Sequence, residues 1–182
     1  MSATLLARVV AVLDRAGAPH AVIGAAALAA HGVARSTFDL DLLTGNQAVL
    51  DERLWSGLSA DPTVRVTLRR GDADDPLAGV VRVEASGERT IDIVVGRWTW
   101  QAEAVEAAVP IHVGSAPLRV VRPVDLILLK LYAGGLQDLS DIQQLLAVGA
   151  EPTLRPEVEA RLERLPASAR HAWQRLLRLS DC

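Results

Sequence analysis

A chain of 182 residues, half of them hydrophobic, with a net charge of −3, is sized for one domain with an ample core. Its only cysteine, Cys182, excludes an internal disulfide and points to a reducing, cytoplasmic setting, and the negative balance argues against generic wrapping of a nucleic-acid backbone. Arg8, Asp14 and Arg15 interrupt the first apolar run, so it does not read as a targeting signal, and no stretch reaches membrane-spanning length without a charge, proline or histidine.

Leu5, Leu6, Val9, Val10, Val12 and Leu13 recur at helical spacing and predict an amphipathic helix over 3–16, stopped by Gly17-Ala18-Pro19. A short strand over 20–23 follows, then Gly24, an alanine-rich helix over 25–30 and Gly32. Apolar and acidic residues alternate from Phe38 to Leu43, which predicts a strand, and Thr44-Gly45-Asn46 turns the chain into a helix expected over 47–58. Three further strands are expected at 64–69, 80–85 and 90–95, the last two as a hairpin, with a helix over 98–108 and extended segments at 111–113 and 118–121. Pro123 suits a first helical position, Gly134-Gly135 ends that helix, and helices over 138–148, 154–164 and 167–179 complete the chain, with a hinge at 149–152. The order implies an α/β (α+β) body over 1–122, a mixed sheet with helices packed on it, and a helical segment over 123–182 packed on that body.

Side chains two apart on a strand share a face, so Asp39 and Asp41 project together while Phe38, Leu40 and Leu42 face the other way. Two carboxylates side by side in a central strand repel and lose solvation unless a cation or hydrogen-bond donors offset the cost; a hard dication such as Mg²⁺ does so, and on an edge strand solvent would. Asp92, in Thr90-Ile91-Asp92-Ile93-Val94-Val95, is the one charge in an apolar strand, which marks it as a paired buried charge or a site residue. Of 19 cationic residues only Lys130 is a lysine. Asp138 and Asp141 share one helix face, where they can orient Lys130 or Arg35, or cap the helix N-terminus. Arg164, Arg170, His171, Arg175 and Arg178 read as a solvated face or a contact for RNA phosphate, with Trp173 as the local aromatic. Trp98 and Trp100 fit the core or the rim of a base pocket.

From Val22 the chain runs V-I-G-A-A-A-L-A-A-H-G-V-A-R-S-T-F-D-L-D-L-L. Through Gly24, Ala27, His31, Gly32, Arg35, Thr37, Asp39 and Asp41 it resembles the motif G-G-x-A-x-x-x-H-G-x-x-R-x-T-x-D-x-D of small bacterial nucleotidyltransferases related to the AbiEii-type abortive-infection toxins. Arg122 to Leu131 and the later Asp138-Leu139-Ser140-Asp141-Ile142 resemble that family's lysine-bearing helical segment and its D-x-x-D element. The resemblance spans 20 to about 146 and implies a nucleotidyltransferase (polymerase-beta-like) fold. It also implies Asp39, Asp41 and Asp92 as ligands of Mg²⁺ or Mn²⁺, with Asp92 able to accept the acceptor's proton, and a nucleotide-binding set of Gly24, Ala25, Arg35, Thr37, Lys130 and Asp141. Gly24 would admit phosphate to backbone N–H groups near a helix end, Arg35 would fork onto phosphate oxygens, and Lys130 would contact the triphosphate. Arg35 also suits a surface ion pair, His31 a capping or packing role, and Thr37 an ordinary strand position. Ala25 departs from the Gly-Ser of many nucleotidyltransferases, whose serine hydroxyl helps hold the triphosphate.

The implied activity is transfer of a nucleoside monophosphate from a nucleoside triphosphate to a hydroxyl on RNA such as tRNA, on protein or on a small molecule. In a toxin-antitoxin or phage-defence setting the partner would be a cognate antitoxin. The alternative is a noncatalytic nucleotide-binding or antitoxin-like module of the same fold, which the Gly24-Ala25 departure favours.

Overall fold

The computed structural model describes residues 4–35, 37–113, 116–148 and 151–180. Ala3 of the expected first helix, residues 149–150 of the expected hinge and Cys182 lie outside them. The first helix, α1 (Leu5–Arg15), is capped by the Thr4 hydroxyl, which accepts from the Ala7 N–H, and it buries Leu5, Val9, Val12 and Leu13. Strand β1 (His20–Val22) leads straight into α2 (Gly24–Ala30).

The remaining strands are β2 (Leu40–Thr44), β3 (Val64–Arg70), β4 (Leu77–Ala85), β5 (Ile91–Gly96), β6 (Val109–Val113) and β7 (Ala116–Val120). With β1 they form one seven-stranded sheet in the order β3-β4-β5-β2-β1-β7-β6. The β2–β5 and β1–β7 pairs are parallel and the others antiparallel, so the sheet is mixed as expected, with β2 at its centre.

Register sorts the pleat into two faces. Leu42, Ile93 and Val81 lie in one cross-strand row, all fully buried, and Leu50 covers the same side at Gly79. One residue along, on the opposite face, the row reads Asp41, Asp92, Arg82, Thr67.

Two expected elements of the body differ. The strand expected at 38–43 begins at Leu40, with Phe38 and Asp39 in a bend, and Phe38 is 91% exposed instead of facing the interior with Leu40 and Leu42. The helix expected over 47–58 is two 3-10 turns, Gln47–Leu50 and Glu52–Trp55, and a single turn, α3 (Ser56–Ser59). Asp51 breaks it: its backbone is extended and its carboxylate accepts from the Arg53 N–H, a local bond that competes with the helix ladder.

After α4 (Thr99–Glu106) and the β6–β7 hairpin, the tail comprises α5 (Pro123–Ala133), α6 (Leu136–Val148), α7 (Glu151–Glu159) and α8 (Ala167–Ser180). The last part of the helix expected over 154–164 is a separate 3-10 turn, Leu162–Arg164. Helix α5 starts on Pro123 and ends on Gly134 at φ +71, the left-handed cap that glycine adopts at least cost. It packs against α6, α7 and α8, which explains burial all around it, including Asp125 and Lys130. One continuous core joins Leu13, Leu42 and Ile93 to Leu126, Ile142 and Trp173. No helix among the described residues is long and apolar enough to cross a membrane.

Candidate active site

The site grows from the turn between β1 and α2. The Ile23 N–H donates to the Asp41 carbonyl at 2.9 Å, stapling the turn to β2. Gly24 follows at φ +63, and a Cβ placed on it would meet Asp41 Oδ2 at 2.1 Å. Glycine is required twice here, by the left-handed backbone and by the carboxylate packed on it. Helix α2 opens with no side-chain cap, so the N–H groups of its first turn have no intrahelical acceptor.

Asp41 and Asp92 are direct neighbours on the parallel strands β2 and β5, and Asp39 precedes them in the bend, tied down where the Leu40 N–H donates to the Thr90 carbonyl at 2.9 Å. The Thr37 hydroxyl donates to the Asp39 carbonyl at 2.8 Å and accepts the Asp39 N–H at 3.2 Å. Thr37 therefore shapes the backbone beneath Asp39. No side-chain donor among the described residues reaches the Asp39 or Asp41 carboxylates, and burial, then the charges of Asp92 and Asp39, push the Asp41 pKa up to about 6 against the opposing pull of Lys130 and Arg82.

Asp92 is different. Arg82, its neighbour on β4, donates from Nε to Oδ1 at 2.8 Å and from Nη2 to Oδ2 at 2.6 Å, and the same bonds hold Arg82 firmly protonated. Among the described residues no three His, Cys, Asp or Glu side chains stand ready to enclose a metal ion. Asp92, the third of the expected carboxylates, faces the Arg82 guanidinium. Asp39 and Asp41 do have the chemistry for a hard dication: two carboxylates with no side-chain donor among the described residues, one of them short of solvation and held against its neighbours' charge.

Behind this cluster lies a buried ionic network. Lys130 Nζ donates to Asp141 Oδ2 at 2.6 Å and to Asp138 Oδ1 at 3.1 Å, while Arg35 Nη1 and Gln137 Nε2 each donate to Asp141 Oδ1 at 3.1 Å. Lys130 is 8% exposed and Asp141 2%. The lysine expected to contact triphosphate thus spends two of its three donors on carboxylates and reaches Asp41 through its field. His31 serves the fold: its Nε2 lies 2.7 Å from the Val121 carbonyl and joins the end of α2 to the start of the tail. Ala25 sits in the first turn of α2 with no hydroxyl to offer.

The tryptophans divide. Trp100 is buried edge-to-face on Tyr132, with ring centroids 5.5 Å apart, whereas Trp98 is half exposed and donates from Nε1 to the Tyr132 hydroxyl at 2.5 Å. In the basic tail Arg164 pairs with Glu103, and Trp173 is 1% exposed, which removes the aromatic partner that stacking on RNA needs. Sequence reasoning missed Arg82. Its signal was a charge at a solvent-side position of an apolar strand, and only register identifies Asp92 as its neighbour.

The chain matches no protein-family model and no curated protein sequence. Its fold is similar to that of ANT(2'')-Ia in complex with adenylyl-2''-tobramycin, with a TM-score of 0.57, 18% identity, and 88% of this chain and 96% of that one covered. The solution structure of the antibiotic-resistance factor ANT(2'')-Ia aligns at a TM-score of 0.53 and 17% identity over 88% and 90% of the two chains. An antigenic nucleotidyltransferase-like protein from Paracoccidioides brasiliensis aligns at 0.47 and 14% over 88% and 87%. The mixed sheet, its flanking helices and the helical tail together make the nucleotidyltransferase fold.

Proposed function

We propose that this protein is a nucleotidyltransferase that moves a nucleoside monophosphate from a nucleoside triphosphate to a hydroxyl acceptor, with Mg²⁺ or Mn²⁺ held by Asp39 and Asp41 and by Asp92 as third ligand. The observation that carries the reading is the in-register pair Asp41 and Asp92 beside Asp39, on one sheet face against a glycine that leaves room for one of those carboxylates. A bound dication would neutralise triphosphate oxygens and stabilise charge on the attacking and leaving oxygens. The first-turn N–H groups of Gly24 and Ala25 would meet phosphate. Arg35 and Lys130, steadied by Asp141, would supply positive field, and Thr37 would fix Asp39. In the transfer the acceptor oxygen bonds to the α-phosphorus, the bond to the β-phosphate oxygen breaks, pyrophosphate leaves, and the acceptor's proton passes to Asp92.

The motif from Gly24 to Asp41 supports the finer reading of an AbiEii-like, cytoplasmic toxin partnered by a cognate antitoxin, with RNA such as tRNA, or protein, as acceptor. A second reading, a nucleotide-binding or antitoxin-like module without turnover, is favoured by two observations: the Arg82–Asp92 pair and the missing hydroxyl at Ala25. The experiment incubates the chain with each α-labelled nucleoside triphosphate, Mn²⁺, total RNA and total protein, beside an Asp39→Asn control. Label transferred only by the parent supports the enzyme. Mn²⁺-dependent thermal stabilisation by nucleotide with no product supports the module, and no response to either ligand ends both readings.

A further inference from the structure

Arg82 has no part in the transfer described above, yet it makes the closest contact in the acidic cluster. It lies on β4 in register with Asp92, whose other neighbour is Asp41. Its planar fork spans both Asp92 oxygens, which makes Asp92 the one member of the acidic trio with a side-chain partner among the described residues. The two partners are unequally held. The Asp92 side chain is 14% exposed and belongs to an apolar strand, whereas that of Arg82 is 48% exposed. No other side-chain hydrogen bond among the described residues holds the Arg82 guanidinium, which otherwise feels only the charges of Asp39 and Glu84, and its neighbour on β3, Thr67, is exposed. The guanidinium can therefore leave by side-chain rotation into solvent, while the carboxylate has nowhere to go.

We propose that Arg82 is the resting counter-ion of Asp92 and competes with the divalent cation for that carboxylate, so that the third ligand joins the site only when Arg82 swings away. The inference rests on the reading above for the identity of Asp39, Asp41 and Asp92 as cation ligands. Before nucleotide arrives the site offers a cation two carboxylates with no side-chain partner among the described residues and one that is paired. The phosphates of a nucleotide then give the released guanidinium a new anionic partner beside the same strand, which couples metal loading to nucleotide binding.

The test is Mn²⁺ binding to the full chain without nucleotide, read from the loss of the free-ion paramagnetic resonance signal, for the parent, Arg82→Ala and Arg82→Lys. Removing the competitor should tighten Mn²⁺ binding about two- to fivefold in Arg82→Ala, the range to which the worth of an ion pair with one exposed partner converts. Arg82→Lys, a point charge without a fork, should fall between the two. Circular dichroism establishes that each variant is folded. If Arg82→Ala fails to fold, Arg82→Lys carries the test, and its affinity must exceed the parent's. Equal or weaker Mn²⁺ binding by a folded variant overturns the proposal and makes Arg82 a support for Asp92. Absence of Mn²⁺ binding in parent and variants alike overturns the metal site itself, and with it the role of Arg82.

Discussion

Asp41→Asn should make the metal-free protein more stable. The Asp41 carboxyl titrates at about 6 in the folded chain against 3.8 as its ordinary value, chiefly through burial and then through Asp92 and Asp39. Between these values the folded state keeps a proton that the unfolded state has lost, so stability falls as pH rises from about 4 to about 6 and is level above that. At about 1.4 kcal/mol per pKa unit the full shift corresponds to about 3 kcal/mol, and partial exposure of the group trims this to about 2 kcal/mol. Asparagine keeps the shape and removes the charge. For a chain of this size the variant should therefore melt about 4–8 °C above the parent at pH 7.5 and level with it at pH 4. Calorimetric melts in EDTA at pH 4, 5.5 and 7.5 read this directly. Saturating Mn²⁺ at pH 7.5 should close the gap by stabilising the parent alone. A difference that does not change with pH, or a variant less stable at pH 7.5, would refute the electrostatic account of Asp41.

Lys130→Met removes the cation that two carboxylates share in a buried setting and should cost about 3 kcal/mol, a loss of about 6–12 °C in a nucleotide-free melt, since Arg35 and Gln137 alone are left on Asp141. An unchanged melt would mean that Lys130 is spare in the resting protein. Gly24→Ala should cost about 2 kcal/mol from the left-handed backbone and the collision with Asp41, and adding Asp41→Ala should restore part of it. Additive losses in that double-mutant cycle would show that the two residues do not press on each other. His31→Ala should cost about 1 kcal/mol through the lost bond to the Val121 carbonyl and leave nucleotide affinity, measured by calorimetry, where it was. A large fall in that affinity would give His31 a place in the site.

Much of the fold is written in local pattern. The alternation from Leu40 to Leu43, the apolar stripe of α1, Pro123 at the start of α5 and Gly134 at its end each depend on neighbours within a few residues, and each is legible without a structure. Asp39 and Asp41 are legible only in part: the two-residue period suggests the pair, but Asp39 lies in a bend before the strand, and its nearness to Asp41 shows in the charge it exerts there. The broken helix after Asn46 shows the limit of pattern: Asp51 satisfies its own neighbourhood with a carboxylate bond that outcompetes the helical periodicity around it.

Tertiary structure alone decided the sheet order, and with it which charges meet. Asp92 stands beside Asp41 because β5 adds parallel to β2 in one register, and Arg82 stands on Asp92 because β4 adds antiparallel in another; a slip of one residue would send either side chain to the opposite face. The burial of Lys130 between Asp138 and Asp141 likewise follows from α6 folding back on α5. From the sequence come the acids and bases of this site and the face each takes on its own strand or helix. Their partners come from register and packing, since the pairing energies act between residues that the chain itself holds far apart.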